Sequence, residues 1–148
     1  MIYLSLEDSL KIHDTIIEEM QGLSGYNKTN LGYLDSALEH IKNDDFYLNF
    51  VDKLTYIMFS YIKFHPFNDG NKRTSIFLAM HFLRANGKNI ENFAQSMEDV
   101  VVKVAEDNLT KEDLKSIIQS YLESHLNNNE NLKNSSNQNS NKKLNKRR

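Results

Sequence analysis

Apolar positions recur along this chain at three- and four-residue spacing, the period of helices packed on one side. From Leu6 onward, Leu10, Ile12, Ile16, Ile17 and Met20 keep that spacing, and Ser5 with Asp8 forms a capping pair. The pattern predicts a first helix ending near Gly22. Residues 23–31 are rich in Gly, Ser and Asn and predict a loop, after which Leu31, Leu34, Ala37, Leu38 and Ile41 mark a second, short helix. The most apolar stretch follows. Phe46, Phe50, Val51, Leu54, Ile57, Met58, Tyr61 and Ile62 cover much of a helix circumference, so this helix is expected to be central and buried. Pro66 has no N–H and disfavours helical geometry in the residue before it, which ends the helix near Phe64. Apolar spacing resumes at Ile76, Phe77, Met80, Phe82 and Leu83, a second core helix reaching Asn86 and Gly87. Further helices are expected over 97–106 and 111–122, the latter opened by Thr110 with Asp113. No stretch alternates with period two, so the fold class is all-α.

Composition narrows this picture. An apolar fraction of 39% in 148 residues suffices for one core, and one domain over 1–125 is expected. Residues 126–148 are almost wholly Asn, Ser, Lys and Gln, with little to bury, and read as a disordered tail. Six basic side chains against Glu130 alone make that tail +5, which leaves −7 for the body out of a total of −2. An acidic body argues against a specific nucleic-acid surface, which needs a concentrated basic patch. The absence of cysteine fits a reducing cytoplasm. The start lacks a basic-then-apolar targeting pattern, and no apolar run approaches the roughly 20 residues that span a bilayer. A cytoplasmic protein without a membrane segment is expected.

One segment carries chemistry. Between the two most apolar helices lies His65-Pro66-Phe67-Asn68-Asp69-Gly70-Asn71-Lys72-Arg73-Thr74, a polar interruption that opens directly into a helix. Helix N-termini present unpaired N–H groups and the positive end of the helix dipole, which favour anions. Gly70 permits the close approach that wrapping backbone around a phosphate requires. Asn71, Lys72 and Arg73 follow at the helix start, and the two cations can meet phosphate oxygens, Arg73 with two N–H groups at once. Asp69 is a hard oxygen ligand suited to Mg²⁺ beside phosphates. A histidine side chain exchanges its proton near neutral pH, which makes His65 the candidate general base for an incoming hydroxyl. Phe67 is placed to anchor the loop in the core. A polar run between helices is commonly a plain turn. Base, carboxylate, glycine, amide and two cations within nine residues at a helix start are a more specific conjunction.

This loop resembles the signature of the Fic superfamily, His-Pro-Phe-x-Asp/Glu-Gly-Asn-Gly/Lys-Arg, at every defined position. Within that superfamily Lys72, where adenylyl-transferring members carry Gly, followed by Arg73 and Thr74, resembles the death-on-curing (Doc) toxins of bacterial toxin–antitoxin pairs. Tyr3-Leu4-Ser5, Ile12-His13-Asp14, Leu34-Asp35-Ser36-Ala37-Leu38 and Phe82-Leu83-Arg84-Ala85-Asn86-Gly87 also resemble that branch, so the likeness covers about 1–125. The resemblance implies a compact helical Fic fold with the active-site loop between its two central helices. His65 is then the base, Asp69 the Mg²⁺ ligand, and Gly70, Asn71, Lys72 and Arg73 the phosphate cradle for ATP. Fic enzymes typically transfer AMP from ATP to a protein hydroxyl. Doc-type toxins instead phosphorylate a threonine of elongation factor Tu, with the nucleotide reversed. Both reactions stay open, because Pro66 and Gly70 are closer to the general Fic pattern than to some Doc loops.

Four other features bear on the reading. His13-Asp14 is reminiscent of the metal pair of phosphohydrolases, but His40, His81 and His125 supply no matching ligand pattern, and a structural place on a helix face is the better reading. Lys63 is read as a solvated lysine, and 25–32 either as a plain connector or as a flap that pairs with a target segment. The inhibitory pattern of Fic proteins, Ser/Thr-x-x-x-Glu-Gly/Asn, has no convincing copy, since Thr15 and Glu19 are followed by Met20. The resemblance then implies restraint by a separate antitoxin.

Overall fold

The computed structural model describes residues 1–125, and among them six helices and no strand. The expected disordered tail, 126–148, lies outside the described residues. The helices are α1 (Leu6–Met20), α2 (Lys28–His40), α3 (Phe50–Phe64), α4 (Asn71–Ala85) and α5 (Phe93–Ala105), with α6 helical over 111–125. The all-α expectation holds.

Local chemistry sets most boundaries. Ser5 accepts from the Asp8 N–H while Asp8 accepts from the Ser5 N–H, closing a capping box at α1. Asn49 and Asp52 do the same at α3, and Thr110 with Asp113 at the start of α6. The cap at Asn49 corrects one expectation: α3 begins at Phe50, and Phe46 stands in the preceding turn, 78% exposed. Two other helices start earlier than expected. Asn27 caps α2, so Lys28 to Gly32 are helical rather than loop, and α5 opens at Phe93 rather than near Met97.

α3 and α4 form the centre. Leu54, Ile57, Met58, Tyr61 and Ile62 of α3, and Leu78, Ala79, Phe82 and Leu83 of α4, are completely buried. α1 packs on α4, α2 on α3, and α5 on both central helices. α6 closes the bundle with Leu114, Ile118 and Tyr121, and Lys115 pairs with Asp52 of α3 at 2.7 Å. The Asn86 side chain accepts from the Ile2 N–H at 2.8 Å and donates to the Ile2 carbonyl at 2.9 Å, tying the beginning of the chain to the end of α4. α1 and α4 therefore run antiparallel, and the C-terminal end of α1 arrives beside the start of α4, where the polar loop lies. No helix among the described residues is long and apolar enough to cross a membrane.

Candidate active site

The loop is a short crossing from the C-terminal end of α3 to the N-terminal end of α4. His65 follows the last turn of α3 in the left-handed region (φ 46°, ψ 59°), a conformation that non-glycine residues adopt at a cost. Its ring is exposed. Phe67, only 5% exposed, plugs the loop into the core between two other rings: it stacks on His13 with centroids 3.6 Å apart and faces Tyr61 at 5.9 Å. Burial and the nearby Asp14 charge push the Tyr61 phenol up, so it stays protonated in this stack.

Asn71 is turned inward. Its amide accepts from the Phe67 N–H at 3.1 Å and donates to the Phe67 carbonyl at 2.8 Å, which fixes the amide's orientation and staples the loop. The remaining amide hydrogen faces His65 Nδ1 at 3.3 Å, leaving Nε2 as the ring nitrogen open to another group. Any contact of Asn71 with an anion would thus come from its backbone N–H. Gly70 caps α4 with φ 77° and offers no side-chain acceptor, so the first N–H groups of the helix are left for a ligand. Lys72 and Arg73 in that first turn are exposed and make no ion pair among the described residues. Arg73 borders two grooves, one of about 380 Å³ against α1 with Thr15, Glu19 and Phe77, the other of about 340 Å³ against α5 with Ile76, Ala94 and Val101.

Asp69 points towards the connection between α1 and α2. Its Oδ1 accepts from the Gly70 N–H at 2.8 Å and its Oδ2 from the Leu23 N–H at 3.2 Å. This is one of several stitches. Asn27 N–H donates to the Pro66 carbonyl at 2.8 Å, Asn68 N–H to the Gly25 carbonyl at 3.0 Å, and the Asn68 amide to the Ser24 carbonyl at 3.1 Å. Tyr26 and Phe67 form an antiparallel bridge. Residues 22–27 therefore lie as a strap along the loop, and two glycines allow it. A Cβ on Gly22 would stand 2.8 Å from Asp69 Oδ2, and one on Gly25, where φ is +107°, 2.6 Å from the Asn68 amide nitrogen.

The residues set aside on sequence grounds also find places. Lys63 pairs with Asp107 in the α5–α6 turn rather than with the loop. Asp14 is 83% exposed, and no cluster of three or more metal-ligating side chains occurs among the described residues. His13 is buried against the loop itself, a contact that sequence reasoning missed; its signal was a histidine on the same stripe as Ser9, Ile16 and Ile17.

Together these groups put an exposed histidine, a carboxylate and an uncapped, cationic helix start on one short loop. The chemistry available there is proton removal beside a bound anion. The protein-family model described as the Fic/DOC family matches residues 3–83, from Tyr3 ahead of α1 to Leu83 in α4, which includes the whole loop. Comparison with curated proteins gives no match.

Proposed function

Because this chain belongs to the Fic/DOC family, whose members are nucleotide-transferring enzymes, we propose that it is a Doc-like protein kinase that moves the γ-phosphate of ATP onto a threonine hydroxyl of elongation factor Tu. The observation that carries this reading is the exposed His65 beside the uncapped start of α4, where the Lys72 and Arg73 side chains form no ion pair among the described residues. A kinase is favoured over an adenylyltransferase by Lys72: its bulk and charge, where adenylyl-transferring relatives carry glycine, suit a different set of phosphates in the cradle.

In this reading the backbone N–H groups of Asn71, Lys72 and Arg73 and the two cationic side chains hold the phosphates. The threonine oxygen bonds to the γ-phosphorus as the bond from that phosphorus to the β–γ bridging oxygen breaks. ADP leaves with that electron pair. The hydroxyl proton passes to His65 Nε2 and then to solvent, once solvent exchange has moved the ring proton to Nδ1 and the ring has given up its contact with the Asn71 amide.

The donor set at Asp69 fits Mg²⁺. It is one carboxylate whose two oxygens each accept a single N–H and keep lone-pair capacity, and Mg²⁺ takes most of its ligands from water and phosphate oxygens. Bound there, the ion would neutralise phosphate charge. Restraint is assigned to a separate antitoxin chain and the place of action to the cytoplasm, both on the likeness to Doc systems.

Intact mass spectrometry of elongation factor Tu incubated with this protein, ATP and Mg²⁺ tests the proposal. A phosphate-sized gain that disappears with His65→Ala is expected. An AMP-sized gain would move the chain to the adenylyltransferases, and no gain would remove elongation factor Tu as the target.

A further inference from the structure

α1 sends one side chain under the loop. His13 is 2% exposed, and its Nε2 lies 2.9 Å from the backbone oxygen of Asp69, 56 residues away. A carbonyl only accepts, so Nε2 carries the hydrogen and donates it. Among the described residues Nδ1 has no hydrogen-bond partner, and the nearest carboxylate oxygen, on Asp14, is 3.8 Å away. An apolar side chain would fill this buried position without the desolvation cost of an imidazole. What the histidine adds is the single bond to Asp69.

That bond acts on a sensitive peptide. The Asp69 carbonyl and the Gly70 N–H belong to one planar trans unit and point in opposite directions. Holding the carbonyl towards α1 therefore sets the direction of the Gly70 N–H, which donates to Asp69 Oδ1. The same peptide leads into the left-handed Gly70 and the first turn of α4. The His13 ring approaches here too, with Cδ2 3.9 Å from where a Cβ on Gly70 would be.

We infer that His13 is a positioning residue for the proposed transfer: its Nε2–H fixes the Asp69–Gly70 peptide and thereby aims the Asp69 carboxylate and the uncapped start of α4. The inference rests on the transferase reading of the loop.

Two substitutions separate the hydrogen bond from the packing. His13→Phe keeps a ring against Phe67 and loses the donor, whereas His13→Gln keeps a side-chain N–H at similar reach and loses the ring. Transfer by His13→Gln is expected within about threefold of wild type, and kcat/KM of His13→Phe about tenfold lower, the worth of one hydrogen bond. A residue that only fills space gives the opposite order.

Hydrogen exchange of the Gly70 amide in the nucleotide-free protein supplies a readout that needs no reaction. It is expected to be about tenfold faster in His13→Phe and near wild type in His13→Gln. A wild-type protein that transfers nothing defeats the transferase reading, while the exchange comparison still decides whether His13 holds the peptide. Gly70 exchange equal in wild type and His13→Phe, or transfer kept by Phe and lost by Gln, overturns the inference.

Discussion

His65 occupies a position whose backbone suits glycine. At φ 46° and ψ 59° it ends α3 in the left-handed region, where an ordinary side chain costs about 1 kcal/mol that glycine avoids. His65→Gly is therefore expected to melt no lower than wild type, with a gain of up to about 1 kcal/mol, while transfer falls at least about 100-fold. A melting point several degrees lower would mean that the ring supports the fold. Asn71 has the opposite balance. Its amide satisfies both backbone groups of Phe67, and Asn71→Ala leaves that buried N–H and carbonyl unpaired, at a cost of about 2–3 kcal/mol. Urea denaturation measures it; a change under about 0.5 kcal/mol, the usual range for a surface substitution, would deny the staple. The likeness to the Fic signature is what places Asn71 in the expected cradle. That its side chain turns inward depends on the folded path of the loop, which no spacing reveals.

At the scale of elements, the strap and the helix after it make a paired test. Gly25→Ala puts a Cβ against Asn68 in a conformation that disfavours side chains, whereas Gly32 sits inside α2 with nothing within 4 Å of an added Cβ. Gly25→Ala is expected to cost about 1–3 kcal/mol and to slow transfer by loosening the loop. Gly32→Ala is expected to stabilise by up to about 1 kcal/mol, because alanine favours helix and narrows the unfolded ensemble. Thermal melts of the two variants should move in opposite directions, and a shared direction would refute the assignment of the strap. The same two elements mark where the sequence is legible. Capping pairs such as Ser5 with Asp8 can be read because partner and target lie three residues apart. The start of α2 escapes because Lys28, Thr29 and Asn30 are polar and follow a Gly- and Ser-rich stretch. The strap escapes altogether: its stitches join residues more than 35 apart, and two of them, Asn27 to Pro66 and Asn68 to Gly25, run between backbone groups, which are the same in every residue. Phe46 misleads for a related reason, since apolar spacing continues through the turn and only the Asn49 cap shows that the helix has not yet begun.

At the scale of the molecule, everything argued above lies within 1–125, and we propose those residues as the complete catalytic unit. The bundle depends on α6. Leu114 and Ile118 are fully buried, Tyr121 is 7% exposed, and the Tyr121 hydroxyl donates to the Glu91 carbonyl at 2.6 Å. Burying three such side chains contributes about 5–9 kcal/mol, comparable with the roughly 5–15 kcal/mol that holds a whole domain together. Truncation after Thr110 is therefore expected to abolish cooperative unfolding. Truncation after His125 removes only the basic Asn-rich segment and should leave melting within about 2 °C, well below the shift that about 1 kcal/mol produces in a domain of this size, and the transfer rate within about twofold. These two deletions tell a structural end from an appended one. If the shorter deletion slowed transfer tenfold with melting unchanged, the +5 segment would belong to substrate capture, since a charged tail raises encounter rates with an acidic surface. Repeating the assay at high salt would then reveal it, because screening suppresses a charge-steered rate in the full chain and has little left to suppress in the truncated one.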